Sequence, residues 1–282
     1  MHLIFIEESF HTFKPTEKKA AEFILQNPNE AVNLSIQKLA ARAEVSEASI
    51  IRLAKKMNCT GFKDLKLKLA YELAKNEHRT EQYEDIPDDG SIKSYIQSIS
   101  QNNIQAIENT MVLLTEESVE KAISLIADAR MVAVYGIGAS AIIAQDFKQK
   151  LTRINYWCEA AIDGDTQLTV SANLGPQDVV FGISYSGLTK DICDSVSLAK
   201  KNGAKVITLT KSGDNVLSLM GDACLYTTSL ERNIRSGATS SRIAQLNVID
   251  ILFAGITRAN KEKNIEALER TRKAVRRSKS GK

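Results

Sequence analysis

The chain has 282 residues, 43% hydrophobic and 25% charged, with a formal net charge of +3, which fits roughly two soluble domains and does not by itself imply a nucleic-acid partner. Cys59, Cys158, Cys193 and Cys224 form no C-x-x-C pair, which argues against a disulfide framework or a metal site and suits a reducing compartment. No apolar run approaches the ~20 residues of a membrane span, and the short apolar start is followed by Glu7 and Glu8 rather than a signal-peptide pattern, so a cytoplasmic protein is expected.

The first helical pattern runs from Pro15 to Gln26, with Pro15 in the first turn and Ala20, Ala21, Ile24 and Leu25 as its apolar stripe. Asn27-Pro28-Asn29 ends it. A short helix capped by Ser35 places Ile36, Leu39, Ala40 and Ala43 at i, i+3, i+4, i+7. After a break at Ala43-Glu44-Val45, Ser46 is a good N-cap for a third helix with Ile50, Leu53, Ala54 and Met57 on one face. Two short striped helices joined by a tight turn read as a helix-turn-helix.

The face opposite the second stripe carries Ala48, Arg52 and Lys55, with Ser49 and Lys56 on its flanks, the position of side chains that read a major groove. Arg52 suits a guanine edge, and Lys55 and Lys56 suit phosphates. Ile51 is left open between packing on the preceding helix and meeting a thymine methyl. The segment Gly61–Leu69 adds an amphipathic helix with lysines, Lys63 among them, on its outer side. From Arg42 to Lys75 the bases outnumber the acids two to one, so the charge is concentrated on this candidate DNA-facing segment. The competing reading is a helical dimerisation cap with solvated lysines.

A polar stretch punctuated by Pro87 and Gly90 follows and reads as a linker. The expected organisation is a helix-turn-helix domain over 1–76, a linker over 77–90 and a second domain over 91–282. That domain opens with helical patterns over Ile92–Ile107 and Glu116–Ala129. Beyond residue 130, strands read at Met131–Tyr135, Asn155–Cys158, Val179–Ser184, Lys205–Thr210 and Cys224–Thr227. The helical patterns between and after them lie at Ser140–Arg153, Gln167–Asn173, Thr189–Lys201 and Thr239–Asn260. This alternation predicts a mostly parallel five-stranded sheet flanked by helices.

Two strands run into glycine- and hydroxyl-rich turns, Gly136-Ile137-Gly138-Ala139-Ser140 and Ser184-Tyr185-Ser186-Gly187-Leu188-Thr189. Hydroxyls and backbone N–H groups at helix starts suit a phosphate. Gly136, Gly138 and Ala141, with Glu159 further on, also fit a loose dinucleotide fingerprint, which would make a dinucleotide sensor. That alternative uses neither Ser140 nor the second turn.

These turns resemble the two phosphosugar-binding segments of the sugar isomerase (SIS) domain. The block from Thr16-Glu17-Lys18-Lys19-Ala20 through Val45-Ser46-Glu47-Ala48-Ser49-Ile50-Ile51-Arg52 to Gly61-Phe62-Lys63-Asp64 resembles the helix-turn-helix of RpiR-family bacterial transcription regulators, as does the late segment Ala238–Leu246. The resemblance implies an all-α helix-turn-helix domain followed by an α/β SIS domain. It implies that Ser140, Ser184, Ser186 and Thr189 hydrogen-bond a sugar phosphate with help from the N–H groups of Gly138 and Gly187. Ser240 and Arg242 would close the site, with Glu231 reaching sugar hydroxyls. Family members often carry Glu where this chain has Leu188. The DNA-facing set expected from the helix faces is Ser46, Ala48, Ser49, Arg52, Lys55, Lys56 and Lys63.

Isomerising a sugar phosphate needs a proton-transfer group titrating near neutrality. His2, His11 and His78 all precede the second domain, leaving Glu159 and Glu231 as the possible bases. The expectation is a non-catalytic sensor without metal or cofactor, with a phosphosugar isomerase or lyase as the alternative. Its partners would be palindromic operator DNA and a second copy of the chain, as homodimer or homotetramer. N-acetylmuramic acid 6-phosphate, other amino-sugar phosphates and hexose phosphates all fit as effectors.

Overall fold

The computed structural model describes residues 13–57, 59–77, 91–228 and 238–279, with Leu3, Ile6 and Phe10. Glu231, the three histidines and residues 78–90 of the expected linker lie outside the described residues. The backbone forms two compact units, Met1–Asn102 and Asn103–Lys282.

The first unit is helical: α1 (Pro15–Gln26), α2 (Pro28–Ala31), α3 (Ile36–Arg42), α4 (Glu47–Lys56) and α5 (Phe62–Glu77). Helix α1 ends at its C-cap Asn27, as its sequence suggests, and Pro28 then takes the first position of the additional short α2, where its missing N–H costs nothing. Ser35 and Ser46 cap as expected, accepting from Lys38 N and Ser49 N, both at 3.3 Å. Between α3 and α4, Glu44 adopts φ +54° and Val45 N donates to Ala40 O at 2.9 Å. That left-handed residue stops α3 and turns the chain into α4. The stripes meet in one core of Ala20, Ile24, Leu39, Ile50, Leu53 and Leu65. Each fully buried Ile or Leu there contributes roughly 1.5–3 kcal/mol.

Helix α6 (Ile92–Leu113) runs through the boundary between the units, and α7 (Glu116–Asp128) opens the second unit's layers. Then strands β1 (Met131–Tyr135), β2 (Cys158–Ala161), β3 (Asp178–Ile183), β4 (Lys205–Lys211) and β5 (Ala223–Thr227) alternate with α8 (Ala139–Arg153), α9 (Gly164–Ala172) and α10 (Lys190–Lys201). Helices α11 (Thr239–Ala259) and α12 (Lys261–Lys279) follow. The sheet order is β2-β1-β3-β4-β5, and every pairing is parallel. Among the described residues no helix is long and apolar enough to cross a membrane.

Strand alternation assigns the two faces. Val132, Val134, Phe181 and Ile207 pack against α7, α8 and α11. Ala133, Tyr135, Val180 and Val206 pack against α10 and the end of α9. The second strand begins later than its aromatic run suggested. Asn155 takes φ +64°, and Tyr156 N donates to Leu151 O at 3.1 Å, so Asn155 and Tyr156 close α8. Pairing starts at Cys158, opposite Val132. Glu159 is therefore inside the strand, opposite Ala133, with its carboxylate on Lys148 Nζ at 3.0 Å. It is not at the strand end where a ribose-binding acid would sit.

β1 leads outward to β2, while β3 leads the other way to β4. Their C-terminal ends therefore flank the switch point of the sheet, where ligands of open α/β sheets bind. The opposite ends are pinned by Arg130. Its Nε and Nη2 donate to the two Asp178 carboxylate oxygens at 2.9 and 2.7 Å.

Candidate functional site

Two candidate sites lie one in each unit. On α4, Ala48, Arg52, Lys55 and Lys56 are exposed, as are Ser46 ahead of it and Lys63 on α5. Ile51 is 38% exposed, which leaves its side chain partly accessible from solvent. Ser49 differs from its expected place on the flank. It is buried, its hydroxyl lies 3.0 Å from Ser46 Oγ, and it accepts from Arg52 Nη2 at 2.8 Å. Ser49 thus links the helix cap to the arginine one turn on. Lys66 and Lys68 serve the fold, donating to Leu34 O at 3.0 Å and pairing with Asp64 at 3.2 Å.

In the second unit, β1 and β3 carry their two turns to adjacent positions at the switch point. At the first, a β-carbon on Gly136 would collide with the Ser140 carbonyl, so only glycine lets α8 start this close to the strand. Gly138 is the N-cap of α8 at φ +62°, and Ser140 is buried in the first turn. Gln167 on α9 ties this turn to the end of β2, its Nε2 donating to Gly136 O at 3.5 Å and to Ala161 O at 3.0 Å.

At the second turn, Ser184 is buried and braces the loop. Its Oγ accepts from Gly187 N at 3.2 Å and lies 2.9 Å from Thr189 Oγ1. Ser186 Oγ accepts from Leu188 N at 3.2 Å. Thr189 is the N-cap of α10 yet makes no side-chain capping bond, because its hydroxyl faces Ser184. Ser186 and Thr189 are half-buried and Leu188 is exposed. The turn is therefore braced from within, with Ser186 and Thr189 left partly exposed.

Two titratable groups close to these turns are moved further from neutrality. Burial pushes the Tyr135 phenol up to about 12, against the lowering effect of its bond to Ser171. Burial also raises the Cys193 thiol, whose sulfur lies 3.7 Å from Gly187 O. Neither group is poised to exchange a proton near pH 7.

Comparison with known proteins fits both units. The helix-turn-helix domain of the rpiR family matches residues 2–76, and the SIS domain matches residues 125–255. An uncharacterized HTH-type transcriptional regulator of Caldanaerobacter subterraneus subsp. tengcongensis is 40% identical over 269 residues, covering 95% of each chain. The chain belongs to the rpiR family of helix-turn-helix transcriptional regulators. A second uncharacterized HTH-type regulator, YbbH of Bacillus subtilis, is 37% identical over 274 residues, with 97% of this chain and 96% of YbbH covered. Among solved structures, the Vibrio vulnificus NanR protein complexed with ManNAc-6P aligns with TM-score 0.61 at 22% identity, covering 98% of both chains. The sugar isomerase domain of an RpiR transcription factor from Sphaerobacter thermophilus aligns with TM-score 0.58 at 22% identity, covering 64% of this chain and 99% of that one. At these identities the structures share the fold.

In this rpiR-family regulator the late segment opens α11, with Ala238 at φ +57° as its N-cap. Ser240 is buried and Arg242 half-buried, and among the described residues neither hydrogen-bonds to the two turns. Sequence reading missed two residues. Asn215 buttresses the second turn: its Nδ2 donates to Thr210 Oγ1 at 3.0 Å and Gly213 O at 2.9 Å, and its Oδ1 accepts from Ser218 N at 2.9 Å. The signal available was the cluster Ser212-Gly213-Asp214-Asn215 directly after a strand. The other missed residue is Glu17, a buried acid in the apolar face of α1.

Proposed function

We propose that this transcriptional regulator binds operator DNA through α3 and α4 and responds to a phosphorylated sugar held, without turnover, at the switch point of its SIS sheet. In this reading residues 1–76 are the DNA-binding domain, 77–90 the linker and 91–282 the sensor. The single observation that carries the sensor reading is the adjacency of the Gly136–Ser140 and Ser184–Thr189 turns at the ends of neighbouring strands. Together they offer hydroxyls and helix-start N–H groups to one anion. Ser186, Thr189 and the N–H groups around Gly138 and Gly187 are the contacts we assign to the phosphate. Ser184 and Ser140 brace the two turns, while recognition of the sugar is assigned to Ser240, Arg242 and Glu231.

Amino-sugar phosphates are the class we favour, since the NanR protein of the same fold was solved with ManNAc-6P. Leu188 offers no polar group to such a sugar, so its hydroxyls must be recognised from elsewhere in the site. A non-catalytic role is supported by the sequence, which has no histidine after His78, and by the raised titrations of Tyr135 and Cys193. Paired copies reading a palindromic site would give the effector two head arrangements to choose between by differential affinity. A thermal-shift screen of the whole protein against amino-sugar, hexose and pentose phosphates tests the sensor. Stabilisation by at least one sugar phosphate, without product on prolonged incubation, is expected. Turnover would replace the sensor with an isomerase or lyase, and a flat screen would remove the phosphosugar altogether.

A further inference from the structure

Lys56 and Arg52 on α4 are not independent surface charges. Beneath them lies Glu17 of α1, 1% exposed, a carboxylate 35 to 39 residues earlier in the chain that the apolar stripe of α1 would ordinarily exclude. Its Oε2 accepts from Lys56 Nζ at 2.8 Å, and its Oε1 lies 3.7 Å from Arg52 Nε. It also accepts from Lys14 N at 2.9 Å, closing the first turn of α1. Lys56 Nζ further sits 5.6 Å from the Phe13 ring centroid, and Arg52 Nη2 is held by Ser49. Both basic side chains are therefore held at their charged ends while staying partly exposed, 51% for Arg52 and 38% for Lys56. The guanidinium has five N–H donors, and these contacts engage only Nε and one on Nη2.

Capping α1 needs one acceptor for a backbone N–H, and a solvent-exposed carboxylate would supply it. A buried carboxylate shared between two bases of the DNA-facing helix does more. Together with the Ser49 hydroxyl on Nη2, its charge 3.7 Å from Nε restrains where the guanidinium points, which base readout requires, and it cancels charge that would otherwise go to phosphates. We propose that Glu17 is a positioning residue for DNA reading, which holds Arg52 in register for a base edge and restrains Lys56 from indiscriminate phosphate contact. This rests on the assignment of α4 as the DNA-reading helix.

The test uses the full-length protein. Duplexes selected by the wild type from a random library are compared with an unselected duplex, across a salt series. For Glu17→Gln, which keeps an acceptor for Lys14 N, the preference for selected over unselected DNA should fall by about tenfold or more, within the roughly 5- to 150-fold range of one base-pair contact. Binding to unselected DNA should tighten, and its log–log salt slope should steepen by about 0.9 for each additional phosphate neutralised. A folded Glu17→Gln protein with unchanged preference and slope overturns the proposal.

Lys56→Met gives a second route should Glu17→Gln fail to fold, because its side chain is partly exposed. Losing Lys56 removes the partner that holds Glu17 Oε2, so the carboxylate is drawn onto Arg52 and the guanidinium leaves its wild-type position; the preference should again fall. If Lys56 is only a phosphate contact, both affinities fall by the same factor and the proposal is overturned. A wild type that selects no sequence at all removes the DNA-reading assignment, and this inference with it.

Discussion

Gly187 and Asn215 compete for the same volume: a β-carbon on Gly187 would overlap the Asn215 side-chain amide. Gly187 also sits at φ +67°, and its carbonyl accepts from Leu217 N at 3.1 Å. The second hydroxyl turn is therefore held between Ser184 on one side and the Asn215 loop on the other. Gly187→Ala should destabilise the protein by at least the roughly 1–2 kcal/mol of a left-handed non-glycine residue, and displacing Asn215 adds to that. The expected result in calorimetry is a lower Tm, with loss of stabilisation by sugar phosphates. An unchanged Tm would mean that the turn relaxes freely and that the Asn215 contact is incidental.

Much of this was readable before the structure because the physics is local. Pro15, Ser35 and Ser46 set helix starts through capping and φ preference, and β1 is bounded as its apolar run suggested. The second strand was misplaced because Tyr156 and Trp157 favour strands, whereas the closure of α8 by Asn155 is decided by backbone bonds to Leu151 and Thr152. Asn215 and Glu17 were missed for a common reason. Their roles depend on partners far along the chain, Gly187 for one and Arg52 and Lys56 for the other, and side-chain periodicity carries no information about such pairs.

In the second turn, Ser186 and Thr189 are the hydroxyl residues left partly exposed. Ser186→Ala and Thr189→Val should leave the stability within about 1 kcal/mol of the wild type, the scale of one hydrogen bond. Each should weaken sugar-phosphate binding by roughly 1.5–3 kcal/mol, as for a lost bond to a charged group. Titration calorimetry with whichever phosphate stabilises the wild type measures this. Equal affinities in all three proteins would move the phosphate away from this turn.

Arg52 and Lys63 should separate base reading from phosphate contact. Arg52→Ala is expected to cost about 1–3 kcal/mol of operator affinity and to relax sequence preference at one position. Lys63→Ala should weaken all duplexes alike and reduce the salt slope by about 0.9. Fluorescence anisotropy over a salt series distinguishes them. Identical behaviour of the two variants would argue that neither residue touches a base.

The clamp at the other end of the sheet sets an acid limit on stability. Burial would raise the Asp178 carboxyl, but the Arg130 hydrogen bonds, the Gly175 N–H and the guanidinium charge outweigh it and lower it below the ordinary range. Gly175 N reaches Asp178 Oδ2 at 2.8 Å, so the carboxylate joins β3 to both the loop before it and the start of β1. A group lowered on folding stabilises above its unfolded value, about 3.9 for aspartate, and loses that contribution as pH falls through the folded value. Asp178→Asn should therefore lower Tm at pH 7 by roughly 3–6 °C, for about 1–2 kcal/mol once the exposure of Arg130 is allowed for. The gap between variant and wild type should narrow as pH drops below about 4. Melting curves of both proteins from pH 7 to pH 3 provide the check. A gap that stays constant across that range would mean that the Asp178 charge contributes nothing beyond its hydrogen-bonding shape.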